Sequence, residues 1–344
     1  MTGLAPSSQP DVLVCGESVA AASVAHLLRR AGVATVRSGA AAARVPAVMI
    51  GAATRRLFAD IFAPALDPMA GLWPIAERHV RWGDAPAVVV PHQAWVLTGD
   101  ECERRLRSVA PPAGGYASAT AAGGGWTVHA GGPSGDFQPF GDRPARAVRV
   151  SLRKTANPHA CLAESLRSGW LFLLPHGAGE AWLLCIGEYL SAAAAVDESK
   201  LAAAAIADVH EEGGMFAAAP RLAEPLGGLG WLCCGAAAAG FDPLCGDGVG
   251  NALREAILAA AVIHAARNDS ALAVPAVAHY ERQLRAAMGR HLRTCGDFYS
   301  SGGPGTWWRA QREACEAGVH SLQRHADGAG PPRFRLVDFS VQLL

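Results

Sequence analysis

The chain has 344 residues, 51% of them hydrophobic, with Lys+Arg and Asp+Glu both at 30 and a formal net charge of +0. That balance removes the basic surface on which sequence-independent nucleic-acid binding depends, and the length suits a large core shared by two associated domains. The 9 cysteines are scattered, odd in number and include the adjacent pair Cys233-Cys234, a pattern unlike a disulfide framework and suited to a reducing cytoplasm.

The opening MTGLAPSSQP shows neither a basic nor an apolar leader segment, and no uninterrupted apolar run reaches the roughly 18 residues of a membrane helix. A cytoplasmic chain without a membrane segment is expected. Val12 to Cys15 is a short strand-like run; Val19, Ala22, Ala25 and Leu28 then recur at helical spacing, and Gly32 closes the helix before a second strand at Val33–Val36. This is the β-α-β opening of a dinucleotide-binding unit. In the G-x-G-x-x-G fingerprint three glycines allow the turn, the approach of backbone to pyrophosphate, and close helix packing. Here those positions hold Gly16, Ser18 and Ala21.

After Pro46, VMIGAATRRLFADIF predicts a short strand, a turn at Gly51 and a helix through Leu57, Ile61 and Phe62. QAWVLTGDECERRLRSVA predicts a strand, a cap at Thr98 or Asp100, and a helix. The glycine-rich AAGGGWTVHAGG, Ala121 to Gly132, reads as a hairpin arm. Strands are expected at Ala147–Leu152, Gly169–Leu174 and Ala181–Ile186, the last two joined by the turn PHGAGE, which together indicate an inserted antiparallel sheet. Leu201–Val209 and Ala256–Ala266 are alanine-rich and expected as core helices. Trp231–Cys234 is the last apolar strand.

The segment WLCCGAAAAGFDPLCGDGVGNALREAILAAA, Trp231 to Ala261, resembles the second flavin-contacting segment of the aromatic hydroxylase superfamily, flavoprotein monooxygenases of the p-hydroxybenzoate hydroxylase fold. Asp242-Pro243, Gly246-Asp247-Gly248 and Gly250-Asn251 match its D-P and G-x-G at a helix start. VPAVMIGAATRRL is similar to the flavin-side loop of the tryptophan halogenase branch, and GWLFLLP to its aromatic strand beside the flavin. VRWGDAP, AWVLTGDECERRL and DFYSSGGPGTWWRAQR resemble the shorter tryptophan-halogenase-like flavoproteins that mature tryptophylquinone cofactors by hydroxylating a tryptophan of another protein. The resemblance runs from Asp11 to Arg312.

It implies an α/β fold: a Rossmann-like FAD-binding domain (10–68, 88–112 and 228–290) interleaved with an antiparallel-sheet substrate domain (69–87 and 113–227), closed by a C-terminal helical region (291–344). FAD would lie against Gly16, Ser18, Ala21, Arg37, Gly51, Asp242, Pro243, Gly246, Gly248, Val249, Gly250 and Asn251, with reduced flavin or NAD(P)H as electron source. Trp82, Trp170 and Phe172 would line an aromatic substrate pocket, and Asp247 and His176 are the acid–base candidates. The implied activity is oxygenation of an aromatic group, a tryptophan in a peptide or protein partner.

Several positions depart from the family. Ser18 and Ala21 replace glycines, Arg37 stands where an acidic residue would hold the ribose, Ala236 replaces the aspartate of the G-D motif, and no A-T-G turn is recognisable around Arg146–Arg153. These losses support an alternative, a flavin-free scaffold subunit for the same partner. A halogenase proper is disfavoured because its essential lysine would fall within Ile75–Gly83, where the sequence is IAERHVRWG. Plainer roles compete for single residues: Ser18 as a helix N-cap, His176 as an exposed turn residue, Asp247 as a partner of the helix dipole, Cys245 as small packing, and Trp307-Trp308 with Phe298 and Tyr299 as fasteners of the last helices. No metal-ligand spacing is evident, and none is expected.

Overall fold

The computed structural model describes residues 10–41, 46–62, 71–110, 125–133, 135–189, 191–210, 214–327, 334–337 and 340–343. The β-branched run at the start forms β1 (Val12–Glu17), with Val12 and Val14 fully buried, and leads through a tight turn into α1 (Val19–Arg30) and β2 (Thr35–Ala41). Ser18 is the N-cap: its Oγ accepts the Ala21 N–H at 3.1 Å and donates to the Ala130 carbonyl at 2.5 Å. β3 (Ala47–Gly51), α2 (Ala52–Phe62), β4 (Trp73–Arg81), β5 (Val88–Thr98) and α3 (Gly99–Val109) follow, α3 capped by Thr98.

Trp126–His129 is β6, and it pairs parallel to β1, Val12 opposite Trp126. The hairpin arm expected there is therefore corrected: within its described part the alternation of Trp126 and Val128 inward suits a central parallel strand, and residues 121–124 lie outside the described set. The chain continues through β7 (Phe137–Pro139), β8 (Pro144–Leu152), β9 (Ala160–Leu166), β10 (Gly169–Pro175) and β11 (Glu180–Gly187). Then come α4 (Ala192–Glu198), α5 (Leu201–Ala205) and β12 (Ile206–Val209). The helix expected over Leu201–Val209 thus ends at Ala205, because Ile206 and Val209 suit a strand and pair with β8. Short strands β13 (Met215–Ala217), β14 (Arg221–Ala223), β15 (Gly227–Gly228), β16 (Trp231–Cys233) and β17 (Ala239–Gly240) precede the helices α6 (Gly248–Asn268), α7 (Ala273–Ser301) and α8 (Thr306–Asp327).

The nucleotide-type sheet has the order β15-β16-β6-β1-β2, and the large mixed sheet runs β12-β8-β11-β10-β9-β4-β5-β3. β3 and β5, assigned by sequence to the nucleotide part, hydrogen-bond into the large sheet, and β6, assigned to the substrate part, completes the nucleotide sheet. The large sheet has an outer face, where Leu171, Leu173 and Leu183 pack under α4 and α5, and an inner face turned to the nucleotide part. α6 is long and apolar enough to cross a membrane by composition, but 67% of that window is buried, and its partners are α1 and α7.

The C-terminal helices are fastened to the large sheet by aromatic rings. Trp82 lies 6.3 Å from Trp170, 6.1 Å from Phe298 and 5.4 Å from Trp308, and Tyr299 lies 5.8 Å from both Trp307 and Trp308. Two of the indole N–H groups reach across the seam to backbone: Trp82 donates to the Phe298 carbonyl (3.0 Å) and Trp308 to the Leu166 carbonyl (2.9 Å). Truncating Trp308, which is 1% exposed, to alanine is expected to cost about 3–5 kcal/mol in a urea unfolding experiment. Phe298→Ala, at a ring that is 43% exposed, should cost much less.

Candidate functional site

The first candidate surface is the β1–α1 turn. Gly16 has φ +126°, and a Cβ there would collide with the backbone of Gly131, so the turn after β6 is stacked on the turn after β1. Ala130-Gly131-Gly132 thus packs directly on the β1–α1 turn, whereas Arg146–Arg153 lies on β8 and the residue after it. Ala21 is fully buried in the helix packing, which a side chain no larger than alanine permits. Arg37 is 2% exposed with no hydrogen-bond partner for its Nε. Burial pulls its guanidinium pKa down, and Glu17 partly offsets that effect; Glu17 itself pairs with Arg107.

The second surface is the junction of β3, α2 and α6. The Asp242 side chain accepts the Leu244 N–H at 2.9 Å, Pro243 opens a short 3-10 turn, and Gly246 (φ +61°) closes it with its α-carbon facing the Met49 methyl. Asp247 then precedes the 21-residue α6. Its carboxylate accepts from Thr54 Oγ1 on α2 (2.8 Å) and from Arg254 Nη1 on α6 (2.7 Å). It also overlies Gly250, where any Cβ would strike it. Asp247 thus clamps two helix starts together. By contrast, ideal Cβ atoms on Gly51 and Gly248 meet nothing within 4 Å, so bare backbone on both sides of the clamp faces open space. Gly248 has no positive φ; what the structure provides there is room. A cleft of about 420 Å³ beside α2 is lined by Ala52, Arg55, Arg56, Ala59, Gln93 and Trp95, with Arg55 4.5 Å over the Trp95 ring.

The substrate-lining expectation is corrected for Trp170 and qualified for Trp82. Trp170 is 1% exposed and donates to Tyr299 OH, and Trp82 belongs to the same packed aromatic seam, so the two fasten the helices rather than wall a pocket. Phe172 is half-buried on the inner face, packed with Met49, and Arg78 lies 6.0 Å from its ring. Arg78 Nη2 is 3.0 Å from His92 Nε2. Burial and the neighbouring Arg78 both lower the His92 pKa, so a neutral imidazole sits beside this face. No motif marks His92 in the sequence. His176 is half-buried in the β10–β11 turn with Trp182 as its ring neighbour, and it shares none of the contacts that hold Asp247.

Behind the junction lies a buried polar hub. Asp242 Oδ2 accepts from Tyr299 OH (2.7 Å) and pairs with Arg143 Nε (3.3 Å), both charged side chains being 0% exposed. Arg143 also stacks on the Tyr299 ring at 4.6 Å and donates to the Phe140 carbonyl. The Asp242 N–H donates to His291 Nε2 at 2.8 Å; Cys295 Sγ is 3.4 Å from that nitrogen and 4.0 Å from Cys245 Sγ. Val249 and Asn251 complete the first turn of α6, the Asn251 N–H bonding to the Asp247 carbonyl.

No protein-family model matches the chain, and no curated protein does either. Solved structures do. CmlS, a flavin-dependent halogenase, superimposes with TM-score 0.74 at 15% identity over 96% of this chain and 75% of that one. The peptidyl tryptophan dihydroxylase QhpG, described as essential for tryptophylquinone cofactor biogenesis, gives TM-score 0.71 at 18% identity over 98% and 86%. The myxobacterial chondrochloren halogenase CndH gives TM-score 0.71 at 15% identity over 94% and 91%. The α/β architecture is that of the FAD-dependent halogenases and monooxygenases, as the sequence resemblance implied.

Glu255 supplies a test of how the second surface is held. From α6 its Oε2 accepts the Gly235 N–H at 2.7 Å, and burial pushes its carboxyl pKa up to about 8 from 4.5. A raised folded-state pKa stabilises fully below 4.5 and is lost as pH rises toward 8. Urea unfolding across that window should show the stability advantage over Glu255→Gln falling with pH, by at most about 1.4 kcal/mol per pH unit.

Proposed function

Starting from a fold shared with flavin-dependent halogenases and monooxygenases, we propose that the chain is a cytoplasmic FAD-dependent monooxygenase that hydroxylates a tryptophan side chain in a peptide or protein partner. The observation that carries the cofactor assignment is the pair of bare backbone positions, Gly51 and Gly248, flanking a helix-to-helix clamp and facing open space. A side chain at either would fill the room that a planar ring system needs. When bound and reduced, FAD supplies the oxygen activation.

The residues divide the remaining work. The N–H groups at the start of α6, from Gly248 to Gly250, form the positive end of a helix and would hold the flavin and stabilise the negative charge it gains on reduction. Asp247, already engaged by Thr54 and Arg254, positions that helix start instead of moving protons. At the dinucleotide end Ser18 caps α1 itself, and the buried Arg37, with Glu17 as its nearest acidic neighbour, stands where the resemblance has an acid for the ribose. On the inner face Phe172 is the aromatic wall, and the neutral His92, whose Nε2 accepts from Arg78, lines the same face as an Nδ1–H donor toward a substrate.

Hydroxylation is favoured over halogenation by the position of the lysines. The chain's lysines are Lys154, in the turn after β8, and Lys200, at the start of α5 on the outer face. Neither belongs to β4, where Arg78 takes the inward position. The resemblance to QhpG supports a peptidyl tryptophan as substrate.

Titration of the purified chain with FAD, followed by quenching of flavin fluorescence, should show saturable binding. Gly248→Val should weaken it at least tenfold with no change in the unfolding midpoint of the flavin-free protein, since a Cβ there meets nothing. Absence of binding at high micromolar FAD would reject the enzyme and leave the scaffold reading. With reductant, oxygen and a tryptophan peptide, mass spectrometry should show gains in units of one oxygen; oxidation of free aromatic compounds alone would reject the peptide substrate.

A further inference from the structure

The sulfur and imidazole cluster behind the flavin-type turn has no part in the oxygenation reading. His291 and Cys295 are one helical turn apart on the same side of α7, and Cys245 faces them from the 3-10 turn that follows Asp242-Pro243. One donor atom from each residue lies within 4.8 Å of the others. His291 and Cys295 are buried and Cys245 is half-buried, which leaves a path from solvent on the Cys245 side.

We infer that Cys245, His291 and Cys295 form a binding site for a thiophilic divalent ion, Zn²⁺ by its donor set. Tetrahedral geometry with Zn–S near 2.3 Å and Zn–N near 2.0 Å sets the S···S edge at about 3.8 Å and the S···N edge at about 3.5 Å. The observed separations are 4.0 Å between the two sulfurs and 3.4 Å between Cys295 Sγ and His291 Nε2. Two of the three edges are at coordination spacing, and the third, between Cys245 Sγ and the imidazole, is within 4.8 Å, so a small movement of the Cys245 turn closes the set.

Two further observations fit the ion. The Asp242 N–H donates to His291 Nε2, so that nitrogen carries a lone pair rather than a proton, the tautomer that ligation requires; binding an ion there replaces this hydrogen bond with a coordination bond and turns the imidazole away from the Asp242 amide. Charge also balances. Asp242 is neutralised by Arg143, so a dication with two thiolates leaves the buried region with no net charge, whereas a monovalent ion would leave one negative charge. Each thiol releases its proton to solvent on binding. The Asp242 carboxylate is already held by Leu244, Tyr299 and Arg143, so the fourth position is assigned to water. The ion would tie the turn carrying Gly246 and Asp247 to α7.

The full chain, reduced, metal-free and without flavin, is titrated anaerobically with Co²⁺ as a probe and then with Zn²⁺. One equivalent of Co²⁺ should give thiolate-to-cobalt charge-transfer absorption, Zn²⁺ should bleach it, and the unfolding midpoint should rise with Zn²⁺. Cys245→Ser and Cys295→Ser should each lower Co²⁺ affinity at least tenfold, while Cys102→Ser, at a buried thiol outside the cluster, should retain the full signal. Far-UV circular dichroism of each variant separates loss of a ligand from loss of fold, and Cys245→Ser, at the half-buried position, remains the informative one if Cys295→Ser unfolds. Absence of a charge-transfer band at excess Co²⁺, a band persisting in Cys245→Ser, or a Cys245–Cys295 disulfide in the anaerobically prepared chain would overturn the site. None of these readouts depends on FAD.

Discussion

The Asp242 carboxylate is the point on which the remaining architecture depends. It is 0% exposed, and it satisfies a turn amide, a tyrosine hydroxyl and a guanidinium at once. Those partners come from the flavin-type turn, from α7 and from the segment entering β8, so one buried charge joins the nucleotide part, the C-terminal helices and the large sheet. A buried ion pair gains little net stability against an apolar replacement, but removing one partner strands the other and is costly. Its contribution is therefore mainly to position: Pro243 to Gly246 have a single arrangement because Asp242 has its bonds in only one.

From this hub the two faces of the candidate site take their shapes. Tyr299 passes the constraint to Trp170, whose indole N–H it accepts, and through Trp307 and Trp308 to the last helix. Asp247 repeats the device on a smaller scale at the mouth of the site, where it ties Thr54 on α2 to Arg254 on α6. Because the aromatic rings are consumed in packing, the concave side of the large sheet is left to Phe172, Arg78 and His92.

What could be read in the sequence was what is local. The Val12–Cys15 run, the cap at Ser18 and the helical spacing to Leu28 need no distant partner, and the segment from Asp242 to Asn251 carries its turn chemistry in a few adjacent residues. β6 was misread because Gly-rich flanks suggest a hairpin, whereas its real partners, β1 and β16, lie far away in the chain. Trp170 differs from the expectation for another reason: residue type says that a ring is apolar, but not whether water or another ring covers it, and here other rings do. The helix expected through Val209 failed where Ile206 found β8, a tertiary contact that overrode alanine-rich propensity. The cluster of Cys245, His291 and Cys295 could not be seen as ligands by spacing, since the turn and the helix that carry them meet only in the fold.

The strand order of the nucleotide sheet also bears on how the chain folds as it is made. β1 sits between β2, which follows it closely, and β6, whose Trp126 pairs with Val12 across more than a hundred residues, and β16 comes a further hundred later. At ribosomal rates of about 5–20 residues per second, β1 waits seconds with one edge unpaired before its neighbour emerges. A β1–α1–β2 unit that formed first would carry an unpaired apolar strand edge until Trp126 arrived to cover it.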